Sequence, residues 1–154
     1  IPVFEECGCK IDIIDHKIKI TAPKQLGRIK SVRTMPFPGF PTDAQAPVMA
    51  MTTLSEGTSI FVENIFESRY KHVGELLRLG ANIKVEGRVA VVEGVRRLSG
   101  APVEAADLRG GAALVVAGLA AQGTTQISGL KHLDRGYESI EKSLAMLGAD
   151  VKRI

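Results

Sequence analysis

The chain repeats itself, and the repeat limits which folds are open to it. Gly57-Thr58-Ser59 opens one run and Gly123-Thr124-Thr125 opens another, 66 residues later. Each is followed at the same distance by an arginine, Arg69 and Arg135. Each then reaches Leu-Gly-Ala, at Leu79-Gly80-Ala81 and Leu147-Gly148-Ala149. Asn82-Ile83-Lys84 and Asp150-Val151-Lys152 come next, and Gly8-Cys9-Lys10-Ile11-Asp12-Ile13 is a third copy of that ending. Repeats of this length are supersecondary units that bury their apolar faces against neighbouring units.

Each unit reads as β-α-β-α-β-β, a mixed α/β (α+β) pattern. A hairpin follows Gly-Ala, with strands 83–85 and 89–92 around the turn dipeptide Glu86-Gly87. A first helix is predicted over 43–55 and again over 108–121, stopped by Gly57 and Gly123. A short strand, 59–62, leads to a second helix over 69–79 and again over 135–147, closed by Gly80 and Gly148. In the last helix Tyr137, Ile140, Leu144 and Leu147 form an apolar stripe at helical spacing and are predicted to be core. The helix over 110–121 is apolar on all sides and should be the most buried. Residues 1–33 then end one unit, 34–98 make a complete unit, and 99–154 make most of a further one. A chain that starts and stops inside units leaves strand edges unpaired. It is therefore expected to be a piece of a longer protein, and self-association through those strands is expected of the piece alone.

With 45% hydrophobic residues, 5% aromatic and no Trp, the core must be aliphatic and rich in Ala. The longest apolar run, Ala112 to Ala121 with one glycine, is half of the ~20 residues a bilayer span requires, so no membrane role is expected. Cys7 and Cys9 are too few for a disulfide scaffold and have no partner pair for zinc. They read as reduced, half-buried residues of a cytoplasmic protein, with no metal. The net charge of +3 is concentrated between His16 and Thr42, where Lys17, Lys19, Lys24, Arg28, Lys30 and Arg33 meet no acid. Without interleaved aromatics this is no stacking platform for nucleic acid. A solvated face is favoured, and an anionic small-molecule site comes second.

The candidate chemistry lies at helix starts. Pro38, Gly39 and Pro41 stiffen the backbone ahead of Thr42. Thr42 reads as an N-cap with Gln45 as its capping-box partner, and with Pro47 still in the first turn. Asp43 is thereby held at the mouth of a helix. Spacing alone favours a structural role there, since an acid in the first turn complements the helix dipole by roughly 0.3–1 kcal/mol. Ser68 is read as the cap of a helix starting at Arg69, Asp134 as the cap of one starting at Arg135, and Asp107 as the cap of one with Arg109 in its first turn. Cations at that end oppose the dipole and ask for compensation. Local pairing is the bland account: Glu67 or Ser68 with Arg69, Asp107 with Arg109, Asp134 with Arg135. The alternative is an anion, gripped by helix N–H groups and arginine forks. If the units are pseudo-symmetric, Asp43 and Asp107 occupy equivalent places, and two acids and three arginines gather on one face.

The stretch Pro38-Gly39-Phe40-Pro41-Thr42-Asp43-Ala44-Gln45 resembles a signature of the UDP-N-acetylglucosamine 1-carboxyvinyltransferases, enolpyruvyl transferases of bacterial cell-wall synthesis. Leu133 to Glu138 matches that family's DRGYE stretch, Ala106 to Arg109 its ADLR stretch, and Asn64 to Arg69 its VFENR-type stretch, with Ser68 where Asn is common. The resemblance covers nearly the whole chain and roughly the C-terminal third of the family's enzyme. It implies an inside-out α/β barrel (an α-β prism), incomplete here, and a catalytic set of Asp43, Arg135 and Asp107. Asp43 would be the base toward the sugar hydroxyl, Arg135 would contact phosphoenolpyruvate, and Asp107 would lie at the reacting centre. Ile65 would contact the sugar nucleotide, with Thr42, Phe66, Glu67, Arg69 and Arg109 among the substrate-binding residues.

The implied reaction moves the enolpyruvyl group of phosphoenolpyruvate to the 3-hydroxyl of UDP-N-acetylglucosamine and releases phosphate, with no metal or organic cofactor. The family's N-terminal Lys and its loop with the reactive Cys are not in this sequence, so the chain alone is expected to be inactive. A shikimate-phosphate enolpyruvyl transferase is the runner-up. A non-catalytic module like those of RNA 3′-phosphate cyclases is the reading from another class.

Overall fold

The computed structural model describes residues 1–154. Its first helix, α1 (Pro2–Glu6), carries Pro at its start and is followed after Cys7 by Gly8, where φ is +89°. Strands β1 (Lys10–Ile14) and β2 (Lys17–Thr21) follow as an isolated antiparallel hairpin. Its two turn residues, Asp15 and His16, both have positive φ, the geometry a tight right-twisted hairpin demands. Next come β3 (Val32–Arg33), α2 (Thr42–Thr52), β4 (Thr58–Val62), α3 (Val73–Arg78), β5 (Asn82–Glu86) and β6 (Val89–Glu93), so the β-α-β-α-β-β series begins at Val32, two residues ahead of the boundary expected at 34. β3 and β4 are parallel across the α2 crossover, and β6 runs antiparallel between β4 and β5. The chain ends with β7 (Pro102–Glu104), α4 (Leu108–Ala120), β8 (Gln126–Ser128), parallel to β7, and α5 (Ile140–Met146).

The repeat is visible in the backbone bonding. Gly27 N–H donates to Cys7 O, and Ser99 N–H donates to Leu79 O, both positions shifted by 72. Glu56 N–H donates to Leu26 O, and Gln122 N–H donates to Leu98 O, a shift of 66 on one side and 72 on the other. The hairpin registers Lys10↔Thr21 and Asn82↔Glu93 also differ by 72 throughout.

Helices α2 and α4 pack side by side. Their buried faces are rich in Ala (Ala46 and Ala50; Ala112, Ala113 and Ala117), which lets the backbones approach. Around them close Ile29, Phe61, Leu76, Leu79, Val92 and Leu98, so the core is mainly aliphatic as the composition requires. Cys7 and Cys9 are fully buried in it rather than half-buried, and burial pushes the Cys7 thiol up to about 11. The six cations between residues 17 and 33 are all exposed.

Several expectations are corrected. The second helices begin later than their arginines: α3 starts at Val73 and α5 at Ile140, so neither Ser68 nor Asp134 is a cap. Tyr70 explains the first delay, because its hydroxyl donates to Phe61 O and Arg88 O and pins residue 70 onto the sheet. Turns at 130–137 and the left-handed Ser139 (φ 46°) delay the second. The Tyr137–Leu147 stripe is not core: α5 has no buried residue and Leu147 is 84% exposed, since no element covers that face. Helix α4 is not the most buried, because Val116 and Leu119 lie open on its outer side; α2 is covered along more of its length. No capping box forms. The N-cap of α2 is Pro41, Gln45 is buried in the core, and Pro47 sits in the second turn.

Candidate functional site

The mouth of α2 meets the mouth of α4. Asp43 is the second residue of α2 and Arg109 the second residue of α4, and they stand 66 residues apart, the spacing of the repeat. The pseudo-symmetry therefore pairs Asp43 with Arg109, and Asp107 with Pro41, not Asp43 with Asp107 as the sequence suggested. Opposite charges at equivalent positions of adjacent helices close into an ion pair, with Arg109 Nη2 2.8 Å from Asp43 Oδ2. Arg69 reaches the other oxygen, Nη2 to Oδ1 at 2.8 Å. One carboxylate thus bridges two guanidinium groups. Arg109 at the start of α4 and Arg69 in the turn before α3 thus share Asp43 in place of the local pairings with Asp107 and Glu67.

The Arg109 hydrogen bond, aided by the charges of both arginines, holds the Asp43 carboxyl below the usual carboxylate range. The same bond raises Arg109, with Tyr137 adding to the effect. Arg69 lies over the Phe66 ring at 4.9 Å, a cation–π contact that fixes the guanidinium from its other side. Its Nε is buried without a partner.

Asp107 caps α4 as the sequence predicts, its Oδ1 accepting from Gly110 N–H at 2.7 Å. Behind it lies His72, 3% exposed, with both ring nitrogens unpartnered. Burial pushes this imidazole down to about 4, against the pull of the Asp107 charge. Ile65 and Phe66 are exposed beside the Asp43 cluster. Glu67 is not part of that cluster: its carboxylate lies 3.6 Å from Arg88. Arg135 is exposed and makes no ion pair, because Asp134 is gripped instead by Arg153 at 2.6 and 3.1 Å. Thr42 donates to Glu63 Oε2 at 3.0 Å rather than capping its helix.

Two residues here carry no motif, Glu63 and His72. The period-2 pattern of β4 signals Glu63, since it follows the inward-facing Ser59 and Phe61 and so places an acid on the buried side. No spacing signals His72.

A family model described as EPSP synthase (3-phosphoshikimate 1-carboxyvinyltransferase) matches residues 1–144. The chain belongs to the EPSP synthase family. Among curated relatives, UDP-N-acetylglucosamine 1-carboxyvinyltransferase 2 of Caldanaerobacter subterraneus subsp. tengcongensis is 51% identical over 154 residues, covering 100% of this chain and 37% of the relative. UDP-N-acetylglucosamine 1-carboxyvinyltransferase of Geobacter metallireducens is 53% identical over 151 residues, covering 98% and 36%. The chain thus spans a little over a third of the length of the curated relatives it matches. Among solved members of the EPSP synthase fold, the enolpyruvyl transferase NikO from Streptomyces tendae superposes with a TM-score of 0.87 at 27% identity, over 98% of this chain and 35% of that one. EPSP synthase from Acinetobacter baumannii shares the fold alone, with a TM-score of 0.69 at 17% identity, over 99% and 36%. The repeated α/β architecture is that of the enolpyruvyl transferases, present here in part.

Proposed function

We propose that this chain is part of an enolpyruvyl transferase that joins phosphoenolpyruvate to the 3-hydroxyl of UDP-N-acetylglucosamine and releases phosphate, in the cytoplasm, as the first committed step of peptidoglycan synthesis. The observation that carries the proposal is Asp43, fixed at a helix mouth between Arg69 and Arg109. The many relatives of about 50% identity that bear the sugar-nucleotide enzyme's name favour that acceptor over shikimate 3-phosphate.

In this reading Asp43 removes the hydroxyl proton as general base. The hydroxyl oxygen bonds to C2 of phosphoenolpyruvate while C3 takes a proton. Loss of that proton and of phosphate then restores the double bond. A carboxylate bridged by two arginines is a weak base. Anionic substrate groups that draw Arg69 or Arg109 away would raise its basicity at the moment it is used. Arg135, free of any partner, is available to clamp the phosphoenolpyruvate anion in the bidentate manner Lys could not copy. Asp107 holds the start of α4 beside the reacting centre, and Ile65 lines the nucleotide side. The chain alone is inactive in this reading, and phosphate release by the purified 154-residue chain would contradict that.

The test is Asp43→Asn in the intact enzyme. The account expects kcat to fall by roughly 10²–10⁴-fold with the melting temperature nearly unchanged. Full turnover by the variant would remove Asp43 from the chemistry.

The unpaired outer edges of β2 and β8 support a second proposal, that the isolated chain self-associates.

A further inference from the structure

We propose that Glu63 is the positioning residue for the acceptor side of this site: it holds the sugar-nucleotide-facing turn and the start of α2 in one fixed relation. The inference rests on the acceptor reading above. Glu63 is 1% exposed, and no cation pairs with it. Its Oε1 accepts from the Thr34 hydroxyl at 2.8 Å, from Ile65 N–H at 2.8 Å and from Phe66 N–H at 3.1 Å. Its Oε2 accepts from the Thr42 hydroxyl at 3.0 Å. Thr34 in turn takes Asn64 N–H at 2.8 Å. Burial would push this carboxyl up, but the bonds from Thr34, Ile65, Phe66 and Thr42 outweigh it and keep the group ionised.

These bonds close a ring through the site. Thr42 is covalently next to Asp43. Phe66 supports the Arg69 guanidinium at 4.9 Å, and Arg69 binds Asp43 at 2.8 Å. Displacing Glu63 would therefore shift both arms of the Asp43 pair, along with the exposed Ile65 and Phe66 edge.

The fold itself does not ask for this carboxylate. Thr34 N–H donates to Val62 O at 3.0 Å, and the same bond in the second unit runs from Ala105 N–H to Ser128 O at 3.0 Å. Ala105 thus stands in place of Thr34 and Gly129 in place of Glu63. A Cβ at Gly129 would lie 2.4 Å from Ala105 O, so no acid could occupy that place. The second unit builds the same parallel strand pair and helix mouth without the clamp. Only the unit that bears Asp43 has it. A buried carboxylate without a counter-ion is costly to keep, and a scaffold that folds without one has no structural need of it.

The experiment uses the intact enzyme with three sequences: wild type, Glu63→Gln and Thr34→Val. Glu63→Gln preserves shape and removes the charge. Thr34→Val removes the buried hydroxyl that donates to Oε1, at a residue outside the substrate-binding set, and it carries the test if Glu63→Gln fails to fold. Melting temperature is measured first, then kcat and both KM values. The proposal expects each folded variant to lose roughly 10–100-fold in kcat/KM for the acceptor, with KM for phosphoenolpyruvate unchanged. A lower melting temperature with wild-type kinetics, or an equal rise in both KM values, would overturn it. A wild-type enzyme inert toward the sugar nucleotide would instead overturn the acceptor reading, which separates the two failures.

Discussion

Asp43 stands at the mouth of α2 with Arg69 on one carboxylate oxygen and Arg109 on the other, both at 2.8 Å. PGFPTD puts an acid at a helix mouth, and the local sequence offers it only the helix dipole. Its real partners come from 26 and 66 residues away. The resemblance to the carboxyvinyltransferases names Asp43, Arg69 and Arg109 one by one, but not that the first bridges the other two. His72 is the other residue that sequence leaves unmarked, and it yields a pH dependence. Its folded pKa of about 4 lies below the ordinary 6.5, so between those values the unfolded chain binds a proton that the folded chain does not. Stability therefore falls as pH drops from about 6.5 to 4, by about 3 kcal/mol in all. Urea midpoints between pH 6.5 and about 5, above the range where the lowered carboxyls of Asp43 and Glu63 begin to contribute, should fall in wild type and not in His72→Leu. The same acid limb in both would show that another group is responsible.

Among the elements, the Gly-Ala marks were the most legible, because a glycine that ends a helix must adopt positive φ. Gly80 does so at +93°, donating to Leu77 O while Ala81 N–H reaches back to Leu76 O. A Cβ there meets nothing within 4 Å. Gly80→Ala should therefore cost only the backbone term, about 1–2 kcal/mol. Gly94 is different, since its Cβ would lie 1.6 Å from Ser55 O, and relief requires moving the backbone between α2 and β4. Gly94→Ala should lower the denaturation midpoint more than Gly80→Ala does; the reverse order would mean the close approach at Ser55 is easily relieved. The starts of α3 and α5 were less legible. A tyrosine hydroxyl bonded to two distant carbonyls, and a left-handed serine, override a pattern that local spacing reads as helix.

For the whole molecule, the repeat carried the architecture: β-α-β-α-β-β from β3 to β6 follows from Leu-Gly-Ala and Gly-Thr spacings alone. What the repeat did not reveal was its alignment. Matching Asp43 to Asp107 is off by two residues, whereas the backbone bonds align Asp43 with Arg109. The same equivalences relate the two open edges. β8 corresponds to β4 and β2 to β6, so the Phe61↔Ala90 register translates to Ile127 opposite Ile18. Head-to-tail pairing of β2 on one copy with β8 on another should give the isolated chain a concentration-dependent mass above 16.5 kDa in sedimentation. Ile18, 59% exposed, can be changed to Lys without disturbing the core. Ile18→Lys should restore the monomer, and a monomeric wild type would refute the pairing.

The most direct measurement of the reaction and its acceptor is phosphate release from phosphoenolpyruvate by the intact enzyme, with UDP-N-acetylglucosamine and with shikimate 3-phosphate supplied separately. Turnover with the sugar nucleotide alone is expected. Turnover with shikimate 3-phosphate, or with neither, would contradict it.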